Sequence, residues 1–182
     1  MKKIAVFLAD GFEEVEGLTV VDLLRRAKVD VTMVSIKKDK AITGAHGIVV
    51  MADACFDEMS YEEQDLLVLP GGMPGTIHLG EHKGLTDLLV EFNNAGKNVS
   101  AICAAPSVLG KLGILNGKNA TSYPGFEDEL KGADVTVNAV EVAGNVVTSR
   151  GMGTAIPFAL ALIELLIDKE TADGIKHAII YG

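Results

Sequence analysis

The chain has 182 residues, of which 48% are hydrophobic and 23% are charged, as is usual for a folded globular protein. Lys and Arg total 16 against 25 Asp and Glu, so the formal net charge is −9. This balance argues against a partner that is a nucleic acid or an anionic membrane, and the two cysteines are too few for a secreted disulfide framework.

The length predicts a single domain over residues 1–182. Two lysines precede an apolar run at 4–9, and acidic residues follow from Asp10 onward. This run is too short to span a bilayer and no small-residue cleavage site comes after it, so we interpret it as a buried first strand. We therefore expect a cytoplasmic protein with reduced thiols.

Short apolar runs alternate with helical patterns along the chain, which predicts strands that alternate with helices. The predicted strands are 4–9, 29–36, 48–51, 65–69, 98–102 and a hairpin-like pair at 135–142 and 145–149. The predicted helices are 13–28, 85–95, 104–112, 154–167 and 172–179. This alternation predicts an α/β fold, with a doubly wound, mainly parallel sheet covered by helices on both faces.

Cys103 directly follows the predicted strand 98–102 and precedes a predicted helix. Sites in doubly wound sheets lie beyond the carboxyl ends of the strands, and a nucleophile elbow occupies this kind of strand-to-helix turn. We expect the helix N-terminus to lower the pKa of the Cys103 thiol and to make it reactive. The alternative is that Cys103 is a small buried hydrophobic residue.

Glu16 favours the functional interpretation of Cys103. At 100° per residue Glu16 shares a helix face with Val20, Leu23 and Ala27, whereas Glu14 lies off this apolar stripe. A carboxylate on an apolar face is costly unless it is protonated or hydrogen-bonded. Glu16 is therefore a candidate proton donor to Cys103 or to a substrate. The alternative is an acid that favours the helix dipole, a role that Glu13 and Glu14 fit better.

Backbone amides complete the predicted site. Gly71-Gly72 permits a turn that directs N–H groups toward the crevice, and the N–H of Ala104 can join them in an oxyanion hole. A double glycine after a proline is also simply a turn.

Other motifs are less specific. Residues 78–82 match the H-x-x-E-H zinc pattern, but a glycine interrupts it and no third ligand is evident, so no metal is expected. Residues 151–154 are interpreted as a turn and helix cap rather than a phosphate loop. Cys55 has no elbow and is interpreted as a packing residue.

Four segments in this order resemble one known family: GFEEVE at 11–16, VLPGG at 68–72, AICAAP at 101–106 and TSRGMGT at 148–154. The set is similar to the ThiJ/PfpI superfamily, in the branch of the Parkinsonism-associated protein deglycase and its bacterial relatives. The resemblance covers essentially the whole chain.

The resemblance implies a flavodoxin-like fold of the class I glutamine amidotransferase type, a homodimer, no cofactor, and an oxidation-sensitive nucleophile at Cys103. It also implies that Glu16 is protonated and bonded to that sulfur, with Gly72 and Ala104 as oxyanion donors.

Two positions depart from the family. Ala104 stands where peptidase-like relatives carry His, so peptidase activity is not expected. Tyr123 stands where close relatives often carry His, and its phenol can bind an aldehyde oxygen.

The resulting expectation is a glyoxalase or deglycase that acts on a small aldehyde or on a glycated protein or nucleotide. Cys103 adds to the carbonyl and Glu16 moves protons. The alternative function is a redox sensor or chaperone whose Cys103 is oxidised to sulfinate.

Both functions require Cys103 to be the more reactive thiol. We expect limiting iodoacetamide near neutral pH to label Cys103 before Cys55, because only Cys103 lies on an elbow. Peptide mapping after brief alkylation measures this order. Dominant labelling of Cys55 would contradict the assignment of the site.

Overall fold

The computed structural model describes residues 1–182 and contains eleven strands and six α-helices. The strands are β1 (Lys3–Leu8), β2 (Asp30–Ser35), β3 (Ala41–Thr43), β4 (Val49–Met51), β5 (Ala54–Cys55), β6 (Leu66–Leu69), β7 (Asn98–Ile102), β8 (Asn119–Ala120), β9 (Asp134–Val135), β10 (Val140–Ala143) and β11 (Val146–Ser149). The helices are α1 (Glu14–Arg26), α2 (Gly75–Glu81), α3 (Lys83–Asn94), α4 (Pro106–Lys111), α5 (Ala155–Leu166) and α6 (Lys169–Ala178).

Seven strands form the main sheet in the order β10-β11-β7-β6-β1-β2-β5. All neighbours pair in parallel except β10 and β11, which form an antiparallel edge. The predicted doubly wound, mainly parallel sheet is therefore confirmed. The predicted hairpin-like pair is also confirmed as β10 and β11, although its first strand is shorter than predicted.

The central strands are mainly apolar because both of their faces are buried. In β1, Ile4, Val6 and Leu8 lie in the core beneath α1, α5 and α6. Ala5 and Phe7 point to the opposite core, where α2, α3 and α4 pack. The alternation of side chains along a strand thus supplies both cores from one segment.

The chain reverses its direction of winding between β1 and β6. From β1 it adds β2 on one side, and it then returns to place β6 and β7 on the other side of β1. Ligand crevices in open α/β sheets lie at such a switch point, outside the carboxyl ends of the strands. The segments after β1, β6 and β7 therefore meet at one edge of the sheet.

Three predicted elements differ from the observed ones. The predicted strand 48–51 does not join the main sheet; it is β4, which pairs with β3 in a separate hairpin. The last helix begins earlier than predicted because Asp168 caps it, accepting a hydrogen bond from the Thr171 N–H at 2.7 Å. The helix after Cys103 is shorter than predicted, since α4 begins only at Pro106.

None of the helices combines the length and the apolar character that a membrane crossing requires.

Candidate active site

Cys103 lies on a strained turn directly after β7. Its φ is +67°, a conformation that is uncommon for a residue with a side chain and that costs about 1–2 kcal/mol. Two backbone hydrogen bonds hold it there: the Cys103 N–H donates to the Ser149 carbonyl at 3.0 Å, and the Cys103 carbonyl accepts from the Tyr123 N–H at 2.8 Å. The thiol is half-buried at the sheet edge, which is the elbow geometry that the sequence predicts.

Glu16 is buried beneath α1, with 1% of its surface exposed. Val20, Leu23 and Ala27 are buried as well, so the predicted apolar stripe on α1 is present. The Glu16 carboxyl interacts with the Cys103 thiol, and its Oε2 accepts a hydrogen bond from the Gly71 N–H at 2.9 Å. The structure thus brings together the acid and the thiol that the sequence singles out.

Burial raises the pKa of Glu16 to about 7, although hydrogen bonds from Cys103 and Gly71 oppose this shift. Near neutral pH the Glu16 carboxyl can therefore either hold or release a proton. This is the property required of a general acid–base group.

The expected low pKa of Cys103 is wrong in this arrangement. Burial, followed by the adjacent charge of Glu16, raises the pKa of the Cys103 thiol to about 12. The helix contributes little because α4 has six residues and begins three residues beyond Cys103. A reactive thiolate at neutral pH therefore depends on transfer of the thiol proton to Glu16, and the two groups titrate as a pair.

Two backbone amides favour the thiolate. The N–H groups of Gly72 and Ala104 donate hydrogen bonds to the Cys103 sulfur and act to lower its pKa. Gly72 has a φ of +92°, and a Cβ there would lie 2.2 Å from the Glu13 nitrogen. Glycine is therefore required for this amide to reach the site.

Gly71 is a site residue whose role sequence reasoning missed. A Cβ at this position would lie 2.5 Å from the Cys103 Cβ and 2.6 Å from Glu16 Oε2. The absence of a side chain allows the thiol and the carboxyl to approach each other, while the Gly71 amide holds the carboxyl. The Gly71-Gly72 pair in the sequence signals a turn but not this contact.

Tyr123 lies beside Cys103. Its N–H holds the Cys103 carbonyl, and the residue is 51% exposed. Its ring lies beside Gly151, where a Cβ would be 3.2 Å from Tyr123 Cδ2 and 3.9 Å from Glu16 Oε1. Binding of an aldehyde oxygen by the phenol stays a prediction.

Glu14 differs from its predicted role as an acid that serves the helix dipole. It is 3% exposed, and it accepts hydrogen bonds from the His46 backbone at 2.8 Å and from Ile48 at 3.4 Å. Its Oε2 also lies 3.0 Å from His46 Nδ1. Burial acts to raise the pKa of Glu14, but these hydrogen bonds outweigh it and leave the pKa below its usual value.

Glu13, Glu14 and His46 also form the one group of possible metal ligands, with ligand atoms within 4.8 Å of one another. Glu14 and His46 are hydrogen-bonded to each other, so we interpret this cluster as an acid–imidazole pair.

The imidazoles of the H-x-x-E-H segment have structural contacts. His78 Nδ1 lies 2.9 Å from the Asp10 carbonyl oxygen, and His82 Nδ1 accepts from the Leu85 N–H at 3.1 Å as the N-cap of α3. Cys55 is 7% exposed at the edge strand β5 and does not reach the Cys103 site.

The fold and the site together define an α/β protein with a cysteine elbow at the switch-point edge of its sheet and a buried acid beside the thiol. The chain belongs to the DJ-1/PfpI family, whose model matches residues 2–165. The resemblance and the flavodoxin-like fold that it implied are confirmed.

Individual relatives extend this comparison. The chain is 37% identical over 182 residues to DJ-1 homolog A of Arabidopsis thaliana, covering 98% of this chain and 46% of that protein. It therefore spans less than half the length of that relative. It is 35% identical to a Pyrococcus abyssi protein named a deglycase, covering 90% of this chain and 99% of that protein. The structure of oxidised Toxoplasma gondii DJ-1 matches with a TM-score of 0.96 and 36% identity over 100% of both chains.

The buried acid makes the stability of the fold depend on pH. The pKa of Glu16 rises from 4.5 to about 7 on folding, so the folded state binds this proton more tightly. The protonated carboxyl contributes its full stability below the pKa that Glu16 has in the unfolded chain. This contribution is lost as the pH rises to the pKa that Glu16 has in the folded protein. Glu16→Gln should remove this loss and gain up to about 3 kcal/mol relative to wild type across that range.

Urea unfolding of both proteins at several pH values between 4 and 8 would measure the difference (about one pH unit per step is sufficient). Glu164→Gln, at an exposed acid on α5, is the matched control and should follow the wild-type profile. A constant difference between Glu16→Gln and wild type would contradict a buried, proton-binding carboxyl.

Proposed function

We propose that this protein is a glutathione-independent enzyme that converts small reactive aldehydes such as methylglyoxal or glyoxal to hydroxy acids. The observation that carries the proposal is the contact between the Glu16 carboxyl and the half-buried Cys103 thiol, with the pKa of Glu16 at about 7. A nucleophile and an acid–base group in contact are the two parts that this chemistry requires.

The first step is addition of the thiol to the aldehyde. The Cys103 proton passes to Glu16, the sulfur bonds to the aldehyde carbon, and the carbonyl electron pair moves to oxygen. Glu16 returns the proton to that oxygen, which gives a hemithioacetal. The N–H groups of Gly72 and Ala104 already face the sulfur, so they are close enough to stabilise charge that develops beside it.

The later steps need an ionised carboxyl. The Glu16 carboxylate removes the hydrogen from the carbon bonded to sulfur, and an enediol forms with the neighbouring carbonyl carbon. Return of a proton to that second carbon leaves a thioester, which water hydrolyses to a hydroxy acid and free Cys103. The net reaction adds one water molecule and needs no external oxidant.

Removal of early glycation adducts from proteins or nucleotides uses the same thiol and the same acid. The Pyrococcus relative that is named a deglycase supports this variant of the proposal.

A redox function is the second candidate, and the oxidised form of the Toxoplasma relative favours it. Two peroxide molecules would convert the Cys103 thiolate to sulfinate and release two water molecules. This function needs the same amides and the same acid but no substrate aldehyde.

One surface supports the homodimer, which stays a prediction. Val15, Ile48, Val49 and Met51 are between 46% and 61% exposed on α1 and the β3–β4 hairpin. A hydrogen bond from Ile48 to Glu14 joins the two elements. An exposed apolar group of this kind is typical of an interface between proteins.

Substitutions at Glu16 separate the two candidate functions. Cys103→Ser, Glu16→Gln and Glu16→Leu should each lower methylglyoxal turnover without glutathione by about 100-fold or more, because nucleophile or proton transfer is lost. Glu16→Gln should still allow oxidation of Cys103 to sulfinate, since its amide can donate to the sulfinate oxygens, whereas Glu16→Leu should not. Turnover assays and intact mass after peroxide measure both effects.

Cys55→Ser is the matched control and should keep wild-type turnover. Wild-type turnover in Glu16→Leu would contradict the role of Glu16 in catalysis. Absence of turnover in the wild type, together with clean oxidation to sulfinate, would favour the redox function.

A further inference from the structure

A cavity of about 580 Å³ lies between α2, α4 and the segment that follows Tyr123. This volume falls in the range of pockets that bind small organic molecules, and it exceeds the needs of a two- or three-carbon aldehyde. Its lining residues come from three segments, at 73–81, 107–111 and 125–129.

The cavity begins next to the groups that surround the Cys103 sulfur. Met73 directly follows the Gly72 amide, and the Ser107 N–H donates to the Ala104 carbonyl at 3.1 Å. From that end the cavity follows α2 toward Glu81 and α4 toward Lys111. One lining residue is thus the chain neighbour of an amide that contacts the Cys103 sulfur.

Part of the cavity lining is apolar. Met73 and Ile77 are 47% and 45% exposed, and the cavity is also lined by Val108 and Phe126. Thr76 also lines the cavity; it is 4% exposed, and its hydroxyl has no hydrogen-bond partner. A buried hydroxyl without a partner is unusual in a folded protein.

The charged groups lie at the far end. Lys111 and Glu129 form an ion pair at 3.5 Å, so their charges compensate each other. The cavity thus offers apolar side chains and, about one helical turn along α4 from Val108, a polar rim.

We propose that this cavity is a subsite for the substituent on the reacting carbonyl, and that it selects aryl or branched alkyl substituents over hydrogen or methyl. The selection of substrates rests on the proposed function, whereas binding of an apolar group beside Cys103 does not. Arylglyoxals are accordingly expected to have a higher kcat/KM than glyoxal.

Alkylation tests the subsite without any turnover. The probes are iodoacetamide and N-benzyl iodoacetamide, which form the same bond to Cys103 and differ only in an aryl substituent. For each thiol we take the rate constant with N-benzyl iodoacetamide divided by the rate constant with iodoacetamide. This ratio should be about tenfold higher for Cys103 in the wild type than for free glutathione, which has no cavity.

Gly80→Leu is the blocking variant. Gly80 lies on an exposed part of α2, and a Cβ there would lie 3.4 Å from Val108 Cγ2, so a leucine fills the cavity. The ratio should fall about tenfold in Gly80→Leu. Gly174→Leu, at an exposed helical glycine of α6 with no atom within 4 Å of its Cβ position, should keep the wild-type ratio. Ile77→Ser removes apolar lining without added bulk and should also lower the ratio.

The same variants are then assayed with phenylglyoxal and glyoxal. A preference for phenylglyoxal that is lost in Gly80→Leu would support the subsite and the proposed function together. Absence of turnover in the wild type, with the alkylation ratio as expected, would overturn the proposed function but support the subsite. A wild-type alkylation ratio equal to that of glutathione, or an unchanged ratio in both Gly80→Leu and Ile77→Ser, would overturn the subsite.

Discussion

The Glu16 carboxyl and the Cys103 thiol lie in contact at a place from which water is largely excluded. The pair holds two protons at low pH, and it loses one of them as the pH passes the pKa of Glu16, at about 7. Burial makes charge on either group costly, so a negative charge in the pair must be stabilised by nearby dipoles. The amides of Gly72 and Ala104 face the sulfur, and the Gly71 amide faces the carboxyl. The position of the proton therefore depends on the placement of three backbone N–H groups.

The fold provides this placement through the switch point of its sheet. β1, β6 and β7 are adjacent and parallel, so the segments that follow them meet at one edge. α1 carries Glu16 to that edge, the turn after β6 supplies the glycine amides, and the elbow after β7 supplies Cys103. The positive φ of Cys103 is a local cost that hydrogen bonds to Ser149 and Tyr123 offset. The stability of the two cores thus supports a strained, charge-sensitive arrangement.

The central strands and Glu16 could be predicted from the sequence because their patterns are local. An apolar run marks a strand that is buried on both faces, and helical periodicity places Glu16 on the apolar stripe of α1. The α2 helix was missed because Pro74, Gly75 and Gly80 are typical of turns. Glu14 contacts His46, 32 residues away, and no periodic pattern in the sequence indicates such a contact. The direction of the Cys103 pKa shift depends on the balance among burial, the Glu16 charge and the amides, which only the three-dimensional arrangement determines.

The most direct test of this account is a titration of the Cys103 thiolate by its ultraviolet absorbance, in wild type and in Glu16→Gln, with Cys103→Ser as the baseline. If the Glu16 carboxylate opposes ionisation of the neighbouring thiol, the wild-type thiolate signal should stay low as the pH passes the pKa of Glu16, at about 7, and should rise only toward the pKa of Cys103, at about 12. In Glu16→Gln that negative charge is absent, so the thiolate should appear at a lower pH than in the wild type. An identical titration curve in wild type and Glu16→Gln would contradict the account.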